Sequence, residues 1–270
     1  MTVSLAEVGR QGRLDIAFAL HHGRTVIRHS YCEVPFKVTR LLDSDMPGFA
    51  HLILMQCTAG LFGGDDVECA IHVDSGACLL LTQQSATKIH PAGDLPAAQR
   101  MRIVVKSGAR LVADFDPVIP FAGSRLHQST HIEVEPGASL VFWEGMMAGR
   151  IGKEERWQFR ELASETRMDL AGRPLYLERL FLKPSQEMLE SRWIMNGSGY
   201  VGTGLCFREG ASQLAEQLHK AMPDAGVDIL GPDLVAVRIA TATGPDFHRC
   251  RETFRTLSYD STRGFPNSVP

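Results

Sequence analysis

Apolar and polar positions alternate along residues 71–142 in a pattern that occurs three times. The copies are IHVDSGACLLL from Ile71, IVVKSGARLVA from Ile103 and IEVEPGASLVF from Ile132, so the offsets are 32 (103 − 71) and 29 (132 − 103) residues. Each copy reads as a strand, a polar turn with glycine and a second strand. Such patterns also recur by chance in β proteins, but repeats of this length favour stacked units that bury their apolar faces on one another. We therefore predict a mainly β fold of stacked, helically wound strands, a β-solenoid-like body, over residues 1–200.

The apolar spacing changes towards the C-terminus. Apolar residues recur every three or four positions in Gly210–Met222 and again in Pro245–Leu257, which is typical of amphipathic helices. Between them, Leu234–Ala240 alternates as a strand. We predict a small α/β unit, helix–strand–helix, packed on the body over residues 201–260. The polar, proline-containing end, residues 261–270, is predicted to be a flexible tail.

Composition narrows the class of protein. The chain has 270 residues and a formal net charge of −3, with no clustered basic face of the kind that binds nucleic acid. No apolar run approaches the ~18–20 residues of a membrane span, and the first residues lack the pattern of a secretory signal. The six cysteines are scattered and form no CxxC pair, which suits a reducing compartment. We expect a cytoplasmic protein that binds neither nucleic acid nor membrane.

The stretch CTAGLFGGDDVE combines a glycine-rich turn, Gly60, Gly63 and Gly64, with the adjacent carboxylates Asp65 and Asp66. It is neither a phosphate loop, which needs GxxxxGK[ST], nor a dinucleotide-binding turn, which needs GxGxxG at the start of a helix. One interpretation is a β-turn with solvated carboxylates, since glycine and aspartate are ordinary turn residues. The other is a carboxylate pair directed inward at a cation.

Two further carboxylates stand alone in apolar strands, Glu144 in LVFWEGMM and Glu178 in LYLERLFL. Burying an unpaired charge costs several kcal/mol, so such residues are unusual. The alternatives are that Glu144 caps a turn and that Glu178 pairs with Arg179 or points outward. Taken together with the aspartates, these carboxylates are candidates for lining a polar interior path.

Motifs for catalysis are missing from the sequence. It contains neither HExxH nor GxSxG. His127 and His131 fall on a predicted strand, where their rings lie about 13 Å apart and cannot chelate one ion. We predict no catalytic residues. The alternative function is a β-solenoid carbohydrate-active enzyme that uses paired carboxylates as acid and base, although only 7% of residues are aromatic.

Five segments, in order, resemble the urease accessory protein family called UreD or UreH. They are TAGLFGGDD, LTQQSATKIH, DPVIPFAGSRL, FWEGMMAGR and YLERLFL. The resemblance runs from about Gly12 to Pro184 and more loosely to Leu257. The chain departs from the family pattern at Ala59, where glycine is frequent, and after Lys88-Ile89, where His90 and Pro91 replace the frequent Tyr-Arg.

The resemblance implies a β-rich, non-enzymatic scaffold that takes part in urease maturation. Its partners would be a helical accessory protein, a nickel-carrying GTPase and the urease apoprotein. The family is thought to pass nickel through an internal polar path, and the family's path positions correspond here to Asp65, Asp66, Thr87, Glu144 and Glu178. It implies no tightly bound cofactor and no firm metal ligands, with nickel only in transit.

Overall fold

The computed structural model describes residues 9–91, 93–184, 186–231 and 233–259. The predicted tail at 261–270 lies outside these residues. The structure is 51% strand and 13% helix, and its strands form a β-solenoid of about four turns. The predicted fold class, a wound β body with two helices near the C-terminus, is therefore confirmed.

The strands of the described residues are numbered in chain order. They are β1 (Gln11–His21), β2 (Arg24–Cys32), β3 (Phe36–Lys37), β4 (Leu42–Asp43), β5 (Ala50–Gln56), β6 (Asp66–Val73), β7 (Cys78–Gln83), β8 (Lys88–Ile89), β9 (Ala97–Val105), β10 (Arg110–Asp114), β11 (Ile119–Pro120), β12 (Arg125–Val134), β13 (Ser139–Met147), β14 (Glu161–Leu170), β15 (Arg173–Leu182), β16 (Tyr200–Phe207), β17 (Gly226–Ile229) and β18 (Leu234–Thr241). The helices are α1 (Gln186–Leu189), α2 (Ala211–Ala221) and α3 (Gly244–Ser258), with a 3-10 turn at Ile151–Lys153.

Two large sheets face each other across the core. The first sheet has the order β15-β14-β12-β9-β6-β1-β2, and the second runs β17-β18-β16-β13-β10-β7-β5-β3, with β4 on β5. A small third sheet pairs β11 with β8. The central strands of both large sheets are parallel to one another, because successive strands of the chain alternate between the two sheets.

The sequence repeats stack in register. Ile103 pairs with Ile71 on one side and with Ile132 on the other, so the repeats occupy equivalent positions in the first sheet. After the turn, the second strand of each repeat enters the second sheet in the same register. The turn glycines have positive φ angles of +78°, +72° and +80°; they are Gly76, Gly108 and Gly137. Buried aliphatic side chains from both sheets fill the space between them.

The C-terminal residues extend the second sheet. Strands β16 and β18 are antiparallel to their neighbours and continue from β13. Helices α2 and α3 cover the outer face of this sheet, where Phe247 and Phe254 of α3 contact Trp143. Gly210, at φ +83°, precedes the first residue of α2 as its N-cap.

Candidate functional site

Glu144 and Glu178 lie together between the two sheets. Glu144 is on β13 of the second sheet and Glu178 is on β15 of the first, and both line one cavity of about 40 Å³. The polar side chains of Gln128, Ser164 and Thr203 line it as well, beside apolar residues. The space is partly open to solvent, and we call it the interior cavity because it lies between the two sheets. Because its volume exceeds the ~10–15 Å³ that one water needs, it has room for water or a small hydrated species.

Strand alternation explains why both carboxylates point inward. On β13, Phe142 faces the core between the sheets and Trp143 faces the helices, so Glu144 returns to the core side. On β15, Glu178 is directly opposite Thr166 of β14. Glu144 is directly opposite Thr203 of β16. Hydroxyl groups on neighbouring strands therefore accompany each carboxylate.

Glu144 is a part-buried carboxyl group, and its hydrogen-bond donor is an uncharged hydroxyl group. The Thr166 hydroxyl donates a hydrogen bond to its Oε1. Burial raises the pKa of Glu144 to about 7; the Thr166 hydrogen bond opposes this shift and the nearby Glu178 adds to it. Near neutral pH the group is thus close to the midpoint between its neutral and charged forms.

The negative charge of Glu178, by contrast, is compensated by an arginine side chain. Nη1 of Arg238 lies 2.7 Å from its Oε1. The Tyr176 hydroxyl donates to Oε2 at 2.6 Å, and the Thr203 hydroxyl donates at 3.3 Å. Burial raises the pKa of Tyr176, and the hydrogen bond to Glu178 raises it further. Glu178 therefore sits in a mainly neutral network with one positive charge.

These contacts exclude two of the alternatives that the sequence left open for Glu144 and Glu178. Arg179 pairs with Glu165 at 2.7 Å, so the partner of Glu178 is Arg238 rather than its sequence neighbour. Glu144 is in the middle of a strand and not at a turn. The sequence reasoning missed Tyr176 and Arg238. Arg238 carried a usable signal, since it is the one charge in the apolar strand LVAVRIA.

Thr87 lines a second cavity of about 40 Å³ near the ends of β5 and β7. The side chain is buried, and Gln83 and Thr58 share the lining. Gly60, also at this cavity, has a φ of +139°, and a Cβ there would lie 2.2 Å from the carbonyl oxygen of Lys88. This close approach of two backbone segments requires glycine.

Asp65 is buried immediately before β6, and its carboxylate holds the glycine-rich turn in place. Its Oδ1 accepts the backbone N–H of Arg10 at 2.8 Å and its Oδ2 accepts that of Phe62 at 2.9 Å. Gly64, next to it, has a φ of +85°, whereas Gly63 is not at positive φ. Asp65 is thus hydrogen-bonded to the backbone at both carboxylate oxygens.

Asp66 forms an ion pair with Arg100 at 2.6 Å on the outer side of the first sheet. Four strand spacings separate β6 from β15, which is about 19 Å. The structure therefore brings Glu144 and Glu178 together but holds both aspartates away from them.

Comparison with known proteins identifies the family. A family model described as "UreD urease accessory protein" matches residues 10–268. This chain belongs to the UreD family. Among curated relatives, the urease accessory protein UreD of Acetivibrio thermocellus is 32% identical over 70% of this chain and 72% of its own length. The UreD of Deinococcus radiodurans is 28% identical over 96% of this chain and 94% of its own length. A UreD 2 of Streptomyces griseus is 30% identical, with 84% and 80% covered.

Membership of the UreD family supports a role in urease maturation. The names of the relatives describe accessory proteins, which is consistent with a non-catalytic role. Across the described parts of the UreD chain, no set of three or more His, Cys, Asp or Glu side chains is arranged to hold a metal ion. His127 and His131 instead pair across strands with Glu161 and Asp169. No helix among the described residues is long and apolar enough to cross a membrane.

Proposed function

We propose that this protein is a non-catalytic scaffold of urease maturation, acting in the cytoplasm, and that nickel moves through its polar interior on the way to urease apoprotein. The observation that carries the proposal is the pair of carboxylates in the interior cavity, Glu144 from one sheet and Glu178 from the other. Burying acidic groups in a β core lowers the stability of the fold. Two such groups at one place therefore indicate a functional reason for keeping them.

The chemistry of the interior cavity suits a divalent cation in transit. Nickel accepts carboxylate oxygen, hydroxyl oxygen and water as ligands, as well as imidazole and thiolate. The polar groups that line the cavity are two carboxylates, an amide and two hydroxyls. Such oxygen donors hold the ion more loosely than a cage of cysteine and histidine, and a carrier must let its cargo leave.

Thr87 stays in the proposed path because it lines the second polar cavity. Asp65 and Asp66 also remain predicted path residues, although their contacts fit a different task. Asp65 holds the turn through two backbone N–H groups, and Asp66 pairs with Arg100. We therefore expect substitutions of the aspartates to act first on the fold near β6, and substitutions of Glu144 and Glu178 to act first on nickel.

The proposed partners are a helical accessory protein, a nickel-carrying GTPase and urease apoprotein. They rest on the family to which the chain belongs. A partly apolar surface is available for such contacts: the large side chains of Leu177, Phe181 and Trp193 are exposed. Surfaces of this kind commonly mark protein interaction sites.

The alternative function, a carbohydrate-active enzyme, fits the geometry less well. Small-molecule sites are usually ~300–1,000 Å³, far larger than the interior cavity of about 40 Å³. A wider depression of about 490 Å³ lies on the outer face of the first sheet. It shares Gln128, Ser164 and Leu180 with the interior cavity, but Glu144 and Glu178 are not among its lining residues. The paired carboxylates thus have room for an ion with water rather than for a sugar.

The test is the double variant Glu144→Gln with Glu178→Gln in cells that express urease with its full set of accessory proteins. We expect the nickel content and activity of urease to fall roughly tenfold, the size of loss typical when groups around a metal site are removed. Recovery of the accessory complex by affinity purification should be unchanged. The matched control is Glu165→Gln, which removes a carboxylate from the outer face of the same sheet. Full nickel loading of urease with the double variant would overturn the proposed path.

A further inference from the structure

Arg238 supplies the positive charge that compensates the carboxylate of Glu178. Its Nη1 lies 2.7 Å from Glu178 Oε1, and its Nη2 donates to the Tyr176 hydroxyl at 3.3 Å. The guanidinium is thus held at two points beside one wall of the interior cavity. Glu144, on the opposite wall, receives the neutral hydroxyl of Thr166. Arg238 therefore forms an ion pair with Glu178 but not with Glu144, on which its charge acts only weakly and through space.

The side chain of Arg238 is much more exposed than the carboxylate that it contacts. Its side chain is 56% exposed, whereas that of Glu178 is 14% exposed. Directly opposite Arg238, on the edge strand β17, lies Gly226, which has no side chain to hold the arginine stem. Moving the guanidinium into water therefore requires no burial of charge and little displacement of neighbours.

We propose that Arg238 is a tethered competitor of the transported cation for Glu178, and so keeps binding in the interior cavity weak and reversible. The inference rests on the proposed function, because it takes Ni²⁺ as that cation. While Arg238 is in place, an entering ion meets a carboxylate that is already neutralised. When Arg238 swings out, both carboxylates face the ion. When the ion leaves, Arg238 returns, so that Glu178 is not left as an uncompensated buried charge.

A purely structural ion pair is the competing explanation, since Arg238 joins β18 to β15. The two explanations predict opposite effects on affinity. If Arg238 only holds the strands in place, its removal loosens the interior cavity and weakens Ni²⁺ binding. If it competes for Glu178, its removal strengthens Ni²⁺ binding and slows release.

The test measures Ni²⁺ binding to the full chain by equilibrium dialysis against the metal alone. We expect Arg238→Gln to bind Ni²⁺ about five- to tenfold more tightly than the unmodified chain. Arg238→Lys keeps the charge but cannot make both contacts, so its affinity should lie between those of the unmodified chain and Arg238→Gln. The matched control is Arg179→Gln, which removes an arginine from an ion pair on the outer face of the first sheet and should leave the affinity unchanged. If Arg238→Gln does not fold, Arg238→Met keeps the stem and carries the same expectation.

A second measurement locates the effect. Adding Glu178→Gln to Arg238→Gln should abolish the gain in affinity, because the competitor and its target are then both gone. In cells, Arg238→Gln should lower nickel transfer to urease even though it binds Ni²⁺ more tightly. Unchanged or weaker Ni²⁺ binding by Arg238→Gln would overturn this inference alone. The proposed path is tested separately, by whether the variant with Glu144→Gln and Glu178→Gln lowers the nickel content of urease.

Discussion

At the scale of single residues, Glu144 is the carboxyl group whose ionisation the fold opposes most clearly. It lies among core side chains, its hydrogen-bond donor is a neutral hydroxyl, and its pKa is raised to about 7. A carboxyl group with a raised pKa stabilises the folded chain only while it keeps its proton. The contribution of Glu144 to the free energy of unfolding is therefore largest in mild acid. It declines as the pH rises from about 4.5 towards 7 and is lowest above that range.

We predict that Glu144→Gln removes this pH dependence. Glutamine keeps the shape and a hydrogen-bonding oxygen for Thr166 but cannot ionise. The variant should be more stable than the unmodified chain at pH 8, on the order of 2 kcal/mol after allowing for partial exposure, and nearly equal to it below pH 5. Urea unfolding between pH 4.5 and 8.5 measures the difference, with Glu165→Gln as an exposed control. A stability difference that does not vary with pH would contradict this account of Glu144.

The rule that isolated charges in apolar strands are functional candidates was enough to find Glu144 and Glu178 from sequence. It extends equally to Arg238, but it does not say which charges meet. Glu178 and Arg238 are 60 positions apart (238 − 178) and belong to different sheets. Their contact depends on how the last strands of the chain return to the body, which no local pattern encodes.

At the scale of elements, the glycine turns set the period of the solenoid. Gly76, Gly108 and Gly137 each carry the chain from the first sheet to the second, with φ near +75°. In that region an L residue with a side chain costs about 1–2 kcal/mol, because its Cβ crowds the backbone. Since the turns stack on one another, with Gly108 N–H donating to the carbonyl of Gly137, each turn constrains the next.

We predict that Gly108→Ala destabilises the fold by about 1 kcal/mol. The added Cβ has room, since its nearest neighbour is a backbone nitrogen 3.8 Å away, so the cost is conformational rather than steric. Gly152→Ala is the matched control. Gly152 is not at positive φ and has open space around it, so this variant should change the free energy of unfolding by less than about 0.5 kcal/mol. Equal effects of the two substitutions in urea unfolding would be inconsistent with a backbone origin.

The repeats also explain which elements the sequence could predict. Where a motif recurs, as at Ile71, Ile103 and Ile132, pattern matching gives strands, turn and register together. The last strands lack a motif of this kind. Alternation predicts Leu234–Ala240 as a strand, and the structure has it as Leu234–Thr241. Its antiparallel place between β16 and β17 follows from tertiary packing. Sequence reasoning therefore predicts the stacked body from its repeats and the C-terminal helix–strand–helix unit from its apolar spacing, but not how the last strands are ordered in the second sheet.

At the scale of the whole molecule, the outer faces of the two sheets differ. Apolar side chains on the outer face of the second sheet are covered by α2 and α3. The outer face of the first sheet instead carries rows of ion pairs between neighbouring strands, such as Arg100 with Glu68 and Arg102 with Glu133. Exposed pairs of this kind contribute little stability. The fold thus depends on the helix-covered side, where a buried ionic contact joins α3 to the body.

That contact is between Arg251 of α3 and two aspartates at the end of β10. Arg251 bonds Asp114 through Nε, and its Nη1 lies 2.6 Å from Asp116. Asp114 is almost wholly buried and also contacts Arg255 at 3.3 Å, so removing it breaks two ionic contacts and leaves the buried Arg251 with Asp116 alone. We predict that Asp114→Ala costs about 3 kcal/mol of unfolding free energy, and that Asp114→Ala with Arg251→Met costs clearly less than the sum of the two single changes.

Arg249→Gln, in an exposed pair with Asp246 on the same helix, should cost less than about 0.5 kcal/mol. Additive single effects in urea unfolding would mean that the contact between Arg251 and Asp114 does not couple α3 to the body.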